Sequence, residues 1–229
     1  KYTFIPFYSR KSIVKERLCN NMGYELIEIV AAAIMLIYLW LEYKASIWLW
    51  PVGVVIPLFY IYIYFVNKFY ADMGINIYYF VASAYGWFRW WKSESALKRK
   101  SLRSGETAVL GVAIRYTPKT YWPKLLAVFC ALFALIAWVL IRFTDSPVPF
   151  GDAFTTALSI VAMWMLAQKY IEQWWFWLIV NAVSATLYFW KGMTPTAVTY
   201  VVYSIVPVFG YRQWQKMMTS AMTENRYSR

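Results

Sequence analysis

The chain has 229 residues, of which 61% are hydrophobic and 15% are charged, and its formal net charge is +12. Soluble domains usually contain about 45 to 50% apolar and about 25% charged residues, so this composition excludes an ordinary soluble domain. Without histidine the chain has no Ser-His-Asp triad and no imidazole metal site, and its two cysteines cannot form a four-cysteine zinc site. We therefore expect no metal, no cofactor and no enzymatic activity.

Seven stretches are long and apolar enough to cross a membrane, because a helix needs about 20 residues to span about 30 Å of hydrocarbon. In chain order they are residues 24–43, 47–67, 69–91, 122–143, 152–168, 173–190 and 194–211. They predict an all-α integral membrane protein with seven transmembrane helices.

The segments between and beyond these spans are short or basic. Residues 1–22 form an N-terminal tail in which apolar residues alternate with bases, which suggests an interfacial amphipathic helix. The loop 92–121 carries seven Lys and Arg residues, and the tail 212–229 is also basic. Because positively charged loops stay in the cytoplasm, we expect this loop and the C-terminus to be cytoplasmic. In this setting we expect the charge to face lipid headgroups rather than nucleic acid.

The ends of the third and seventh spans share a pattern at an offset of 124 residues, and the second and sixth spans each begin with a Trp-x-Trp pair. We interpret this as a duplication, in which residues 23–91 and 152–211 are two parallel three-helix units and helix 122–143 is their linker. Transporters with parallel repeats bind substrate near mid-membrane between the units. The matched residues are Tyr79, Gly86, Trp90 and Lys92 with Tyr203, Gly210, Trp214 and Lys216, and Trp48 and Trp50 with Trp175 and Trp177.

Polar side chains inside the spans mark candidate sites, because in lipid they are costly unless they face protein or a watery cavity. The sixth span supplies a face of such residues at helical spacing. The alternative is that amides and hydroxyls hold helices together while the aromatic residues pack. The predicted substrate-binding residues are Trp174, Trp177, Asn181, Ser184 and Tyr188 of the sixth span, Trp164 and Gln168 of the fifth, Asn76 and Tyr79 of the third, and Tyr203 of the seventh.

The residue types at these positions indicate the kind of substrate and mechanism. Aromatic faces attract flat or cationic rings by roughly 0.5 to 2 kcal/mol per contact, and amides and hydroxyls suit sugar hydroxyls. Acidic residues lie at or near the ends of the spans, so no carboxylate is expected within the path. These features predict facilitated passage of a neutral or cationic, partly aromatic substrate by alternating access.

Three stretches resemble the PnuC family of bacterial vitamin transporters: 85–90 (YGWFRW), 172–181 (EQWWFWLIVN) and 188–192 (YFWKG). The resemblance covers nearly the whole chain beyond the N-terminal tail. It implies a fold similar to the SWEET sugar transporters, an inner-membrane location, a homotrimer and uptake of nicotinamide riboside, a precursor of NAD. It also implies that a cytoplasmic riboside kinase retains the substrate by phosphorylation.

Three alternatives remain from the residues alone. Relatives in the family carry thiamine or riboflavin, whose flat rings suit the same aromatic faces. A membrane scaffold would explain the hydrophobicity and the basic loop but not the repeat. A membrane-embedded enzyme would need a catalytic grouping at one depth, and the chain shows no such grouping.

Overall fold

A computed structural model describes residues 34, 36–66, 70–104, 114–144, 146–192 and 194–227. The chain divides into two compact parts, residues 1–40 and residues 41–229. All the contacts discussed below lie within residues 41–229. The predicted N-terminal helix at residues 1–22 and most of the first predicted span lie outside the described residues.

The described regular structure is helical, apart from one isolated bridge between Arg115 and Tyr170. The all-α prediction is thereby confirmed for this part of the chain. By length and composition, two of its helical stretches, Lys119–Phe143 and Pro149–Ala167, could each cross a membrane. The helices are α1 (36–43), α2 (Leu49–Val66), α3 (Tyr70–Ser104), α4 (Trp122–Phe143, after a 3-10 turn at Lys119–Tyr121), α5 (Pro149–Ala167), α6 (Gln173–Trp190), α7 (Thr194–Tyr203) and α8 (Val206–Tyr227).

Helix α3 is longer than the predicted span, because it continues from residue 91 to Ser104 through the first part of the predicted basic loop. Residues 92–104 contain no Gly or Pro and are rich in Lys, Arg and Ser, so neither of the residues that most strongly break a helix occurs there. The predicted span at residues 69–91 thus corresponds to the apolar part of α3, and its polar extension to Ser104 was not predicted.

The seventh predicted span is divided into two helices, α7 and α8, with a turn at Ser204 and Ile205. Pro207 explains the break, because proline has no N–H to donate to the carbonyl of residue 203 and its ring crowds the preceding turn. The α7 helix therefore ends at Tyr203, and α8 begins at Val206 after the turn.

Helix α5 lies at the centre of the packing. It contacts α3, α4 and α6, while α6 also packs against α7 and α8 and α2 packs along α3. Much of α5 is buried, including Val161, Met165 and Leu166. In contrast, α4 exposes large apolar side chains such as Leu126 and Trp138, as expected of a helix that faces lipid.

The turn before α2 and the turn before α6 have the same backbone, 124 residues apart. Ala45 and Lys169 both have positive φ, 49° and 58°. The amide of Ser46 donates to the Leu41 carbonyl at 2.9 Å, and that of Tyr170 donates to the Met165 carbonyl at 3.0 Å. The offset found between the ends of the third and seventh spans therefore also relates these two turns.

Each turn leads to a tryptophan that packs on a glycine and against a second tryptophan. Trp50 lies over Gly86 and meets Trp90 edge-on at 5.4 Å, and 124 residues later Trp174 lies over Gly210 and meets Trp214 at 5.6 Å. The counterpart of Trp50 is therefore Trp174. Pairing Trp48 and Trp50 with Trp175 and Trp177 by their Trp-x-Trp pattern was wrong, since that pattern is displaced by three residues from the common offset.

Candidate functional site

Four tyrosines from α3, α6 and α7 come together, and we call Tyr79, Tyr188, Tyr200 and Tyr203 the tyrosine cluster. The rings of Tyr188 and Tyr200 are stacked, with centroids 5.2 Å apart and planes 18° apart. Tyr203 meets Tyr200 edge-on at 6.1 Å. Tyr79 of α3 is close enough to interact electrostatically with Tyr200.

The cluster spans an interval between two helices whose backbones do not touch. Among the described residues α3 and α7 have no backbone contact, although Tyr79 and Tyr200 interact across the space between them. Neighbouring Tyr78 anchors this part of α3, because its hydroxyl donates to the carbonyl of Ile160 on α5 at 3.1 Å. Tyrosine side chains of α3, α6 and α7 therefore gather where the backbones of α3 and α7 are apart.

Asn181 joins α6 to the break between α7 and α8. Its Nδ2 donates a hydrogen bond to the carbonyl of Tyr203 at 3.1 Å. Within an unbroken helix that carbonyl would accept from residue 207, but residue 207 is proline and has no N–H. Asn181 thus satisfies an orphaned carbonyl beside the tyrosine cluster, and interrupted helices of this kind commonly line transporter binding sites.

The structure brings together Asn181, Tyr79, Tyr188 and Tyr203 of the predicted site residues. It adds Tyr200, which occupies the centre of the cluster. The sequence places Tyr200 on the same span as Tyr203, but its stacking partner lies on another helix, so spacing along one helix could not reveal that contact.

Other predicted site residues are engaged elsewhere. Trp174 is 2% exposed because its ring packs on Gly210 and against Trp214. Trp164 packs beside Tyr121 and Tyr170 on the side of α5 that faces α4. Gln168 ends α5, and its Nε2 donates to the hydroxyl of Tyr85 at 3.1 Å.

The remaining three predicted residues are less well defined by their contacts. Trp177 is half-buried on α6, and its indole N–H is buried without a hydrogen-bond partner in the described structure. Ser184 is buried on α6, and Asn76 is half-buried on α3. Of these, Trp177 offers a donor that a bound molecule could satisfy.

The cation beside the tyrosine cluster, Lys191, is already in an ion pair. Lys191 Nζ lies 5.4 Å from the centroid of the Tyr188 ring, but it also makes an ion pair with Asp152 at 2.8 Å. Ser146 donates to the same carboxylate at 2.7 Å. The cluster thus presents rings, hydroxyls and an amide, and in the described parts of the chain no group of three His, Cys, Asp or Glu residues could hold a metal ion.

Polar groups also meet at the beginning of α6, away from the cluster. Glu42 is 4% exposed and accepts a hydrogen bond from Gln173 Nε2 at 3.3 Å, although the sequence placed Glu42 simply at a helix end. Lys169 is also 4% exposed, and its Nζ lies 4.2 Å from the centroid of the Trp90 ring. Burial lowers the pKa of Lys169 from 10.5 to about 8, while Glu94 acts to raise it.

Residues 25–216 match the model of the nicotinamide mononucleotide transporter family. The chain belongs to this family. It is therefore a membrane transporter, and the activity of the family does not support the alternative of a membrane-embedded enzyme.

Named relatives match most of the chain. The nicotinamide riboside transporter PnuC of Escherichia coli is 25% identical over 225 residues, which cover 92% of this chain and 94% of the relative. The riboflavin/roseoflavin transporter RibM of Streptomyces davaonensis is 27% identical over 82% of this chain and 83% of its own. A crystal structure of the vitamin B3 transporter PnuC matches with a TM-score of 0.59 and 26% identity over 84% of this chain and 81% of that chain.

Proposed function

We propose that the protein carries nicotinamide riboside across the membrane and binds it at the tyrosine cluster and Asn181. The observation that carries this proposal is the packing of Tyr200 against Tyr188 and Tyr203, beside the amide of Asn181. Stacked tyrosines suit a pyridinium ring, and amide and hydroxyl groups suit a carboxamide and a ribose. The names of the riboside transporters to which the chain is similar support the same substrate.

The charge at the site favours the riboside over the mononucleotide that names the family. A phosphate group would require cationic or backbone N–H partners. The cation beside the cluster, Lys191, is already paired with Asp152. A cationic riboside without phosphate therefore suits this environment better than an anionic nucleotide.

We propose the same assembly and topology that the sequence predicts. Seven crossings would form two parallel three-helix units, with α4 as the linker, in a bacterial inner membrane with the C-terminus in the cytoplasm. The recurrence of the turns and of the Trp–Gly–Trp packing at an offset of 124 residues supports the duplication. We also retain the homotrimer and the cytoplasmic riboside kinase as parts of the proposal.

The proposed mechanism is uncoupled alternating access. Gln173, which contacts the buried Glu42, lies fifteen residues before Tyr188 on α6, a rise of about 22 Å. Glu42 is thus remote from the tyrosine cluster and is not available to carry a proton through the site. Net uptake would then follow the gradient maintained by phosphorylation of the riboside.

Binding measurements on the purified protein test the substrate. We expect calorimetry to detect nicotinamide riboside, with at least tenfold weaker binding of nicotinamide mononucleotide. Asn181→Ala should weaken riboside binding at least tenfold, because it removes an amide from the site. Gln215→Ala, which removes an exposed amide on α8, is the matched control and should bind like the wild type. No binding of riboside, or equal binding of the mononucleotide, would overturn the proposal.

A second substitution separates binding from packing at Asn181. Pro207→Ala restores an N–H that can donate to the Tyr203 carbonyl, so the capping role of Asn181 becomes dispensable. If Asn181 binds the riboside, Asn181→Ala should still weaken binding at least tenfold in the Pro207→Ala protein. If the loss disappears in that background, Asn181 acts only on the helix break.

Riboflavin is the second candidate substrate, because a relative named as a riboflavin/roseoflavin transporter matches 82% of the chain. Its larger flat ring could also stack on tyrosine. Direct competition decides between the two: excess riboflavin should leave riboside binding unchanged if the site is built for the smaller ring.

A further inference from the structure

Two tryptophan side chains make reciprocal hydrogen bonds between the two proposed three-helix units. The Trp90 indole N–H, at the end of the first unit, donates to the carbonyl of Ala167, the last residue of α5 in the second unit, at 3.1 Å. The Trp214 indole N–H, on the part of α8 that continues beyond the second unit at residue 211, donates to the Glu42 carbonyl near the end of α1 in the first unit at 3.0 Å. Trp90 and Trp214 are 1% and 0% exposed, so both bonds are shielded from solvent.

Further contacts between the units gather at the same end of the molecule. They involve side chains next to the two turns, so each one joins a residue near Glu42 or Gln168 to the opposite unit or, at Gln213, to the continuation of α8 beyond that unit. The contacts are Lys169 Nζ over the Trp90 ring at 4.2 Å, Gln173 Nε2 to Glu42 at 3.3 Å, the Tyr43 hydroxyl to Gln213 Oε1 at 3.3 Å, and Gln168 Nε2 to the Tyr85 hydroxyl at 3.1 Å.

The opposite end of α6 is joined differently. There the ion pair between Lys191 and Asp152 links α5 and α6, which belong to the same unit. The tyrosine cluster lies away from the tryptophan hydrogen bonds, since Tyr79 precedes Trp90 by eleven residues, or about 16 Å of helix, and it reaches the Lys191 end of α6 through Tyr188. The Tyr78 hydroxyl also joins the two units beside the cluster, through its hydrogen bond to Ile160, whereas both tryptophan hydrogen bonds lie at the end of α6 remote from Lys191.

We propose that the two tryptophan hydrogen bonds form a latch that closes the cytoplasmic end of the substrate path and opens to release substrate. The proposal rests on the proposed transport function, because only a carrier with alternating access needs one end closed at a time. Each bond joins a side chain to a backbone carbonyl, so separating the units breaks both bonds without disturbing the Trp–Gly packing inside either unit. Lys169 holds the Trp90 half of the latch, and its counterpart Ala45 has no such side chain.

Solvent access to the cluster tests the latch. Ser204→Cys places a thiol at the break between α7 and α8, in a protein whose Cys19 and Cys130 are replaced by Ser. Vesicles of each orientation are treated with a membrane-impermeant maleimide. Trp90→Phe and Trp214→Phe, which retain a ring but lack the N–H, should each raise the labelling rate at least fivefold from the cytoplasmic side and leave it unchanged from the other side.

Trp138→Phe is the matched control, because Trp138 is an exposed tryptophan on α4 and should not affect labelling. If the latch variants do not fold, Lys169→Met decides, since it keeps both indoles and removes only the ammonium group over Trp90; it should raise cytoplasmic labelling at least twofold. Unchanged labelling, or a rise from both sides or only from the outer side, would overturn the latch. Labelling needs no riboside, so failure of riboside binding would overturn the substrate without affecting this result.

Discussion

Gly210 lies directly under the ring of Trp174, and this contact limits what can replace it. A Cβ added to Gly210 would lie 2.5 Å from two carbons of the buried indole, which packs against Trp214 and has little room to move. Overpacking of this kind costs roughly 1 to 3 kcal/mol. We therefore expect Gly210→Ala to lower the free energy of unfolding by about that amount, as measured by denaturant unfolding in detergent.

Gly74→Ala is the control for this prediction, because Gly74 is helical and has nothing within 4 Å of the added Cβ. Alanine is the better helix former, so Gly74→Ala should be neutral or slightly stabilising. Equal stability of the two variants would show that the Trp174 ring can shift away from residue 210.

Lys169 gives the folded protein a dependence on pH that follows from its burial. The pKa is about 8 in the folded chain, against an ordinary value of 10.5. Between these values the unfolded chain holds a proton that the folded chain has released, so raising the pH favours the folded state. The melting temperature of the wild type, relative to that of Lys169→Met, should therefore rise from about pH 8 to about pH 10. A constant difference would mean that Lys169 keeps its ordinary pKa despite its burial.

At the scale of the helices, the length of an apolar stretch predicts where a membrane-spanning helix lies. It does not predict where a helix continues through polar residues or where a proline interrupts it. Helices α4 and α6 occupy the stretches expected from hydrophobicity alone, because an uninterrupted apolar run between polar flanks defines both ends. Hydrophobicity placed the end of the third span at residue 91, but α3 continues to Ser104, because Lys and Arg do not break a helix. Hydrophobicity also predicted one continuous seventh span through Pro207, whereas the structure has two helices there. Pro207 interrupts the helix because it lacks an N–H, which hydrophobicity does not register.

At the candidate site, the sequence likewise predicts which residues share a helix face, but it does not predict which residues of other helices they contact. Helical spacing predicts that Asn181 and Tyr188 share a face of α6. It does not predict that Tyr188 stacks on Tyr200 of α7, nor that Trp174 of the same face packs on Gly210 of α8. Those contacts depend on how α6 lies between α7 and α8. The repeat could have supplied part of this information, because the offset of 124 residues pairs Trp174 with Trp50.

At the scale of the whole molecule, the candidate site is built within one chain. Tyr79, Asn181, Tyr188, Tyr200 and Tyr203 all belong to a single copy of the chain, although the proposed assembly is a homotrimer. Helix α4 packs against α5 and exposes apolar side chains such as Leu135 and Trp138 to its surroundings. Each protomer should therefore contain a complete path, whatever surface joins it to its neighbours.

Mixed assemblies test whether the paths are independent. Wild-type and Asn181→Ala chains with different affinity tags can be expressed together, and complexes of each composition can be purified and reconstituted into vesicles. If each protomer carries its own site, riboside uptake measured well below the wild-type Kd should fall by nearly one third for each altered chain in a trimer, because the remaining sites are intact. A single altered chain that abolishes uptake would show that the protomers share one path or move only together. Complexes with only one or two chains would instead contradict the trimer, while uptake in proportion to intact chains would still support one site per chain.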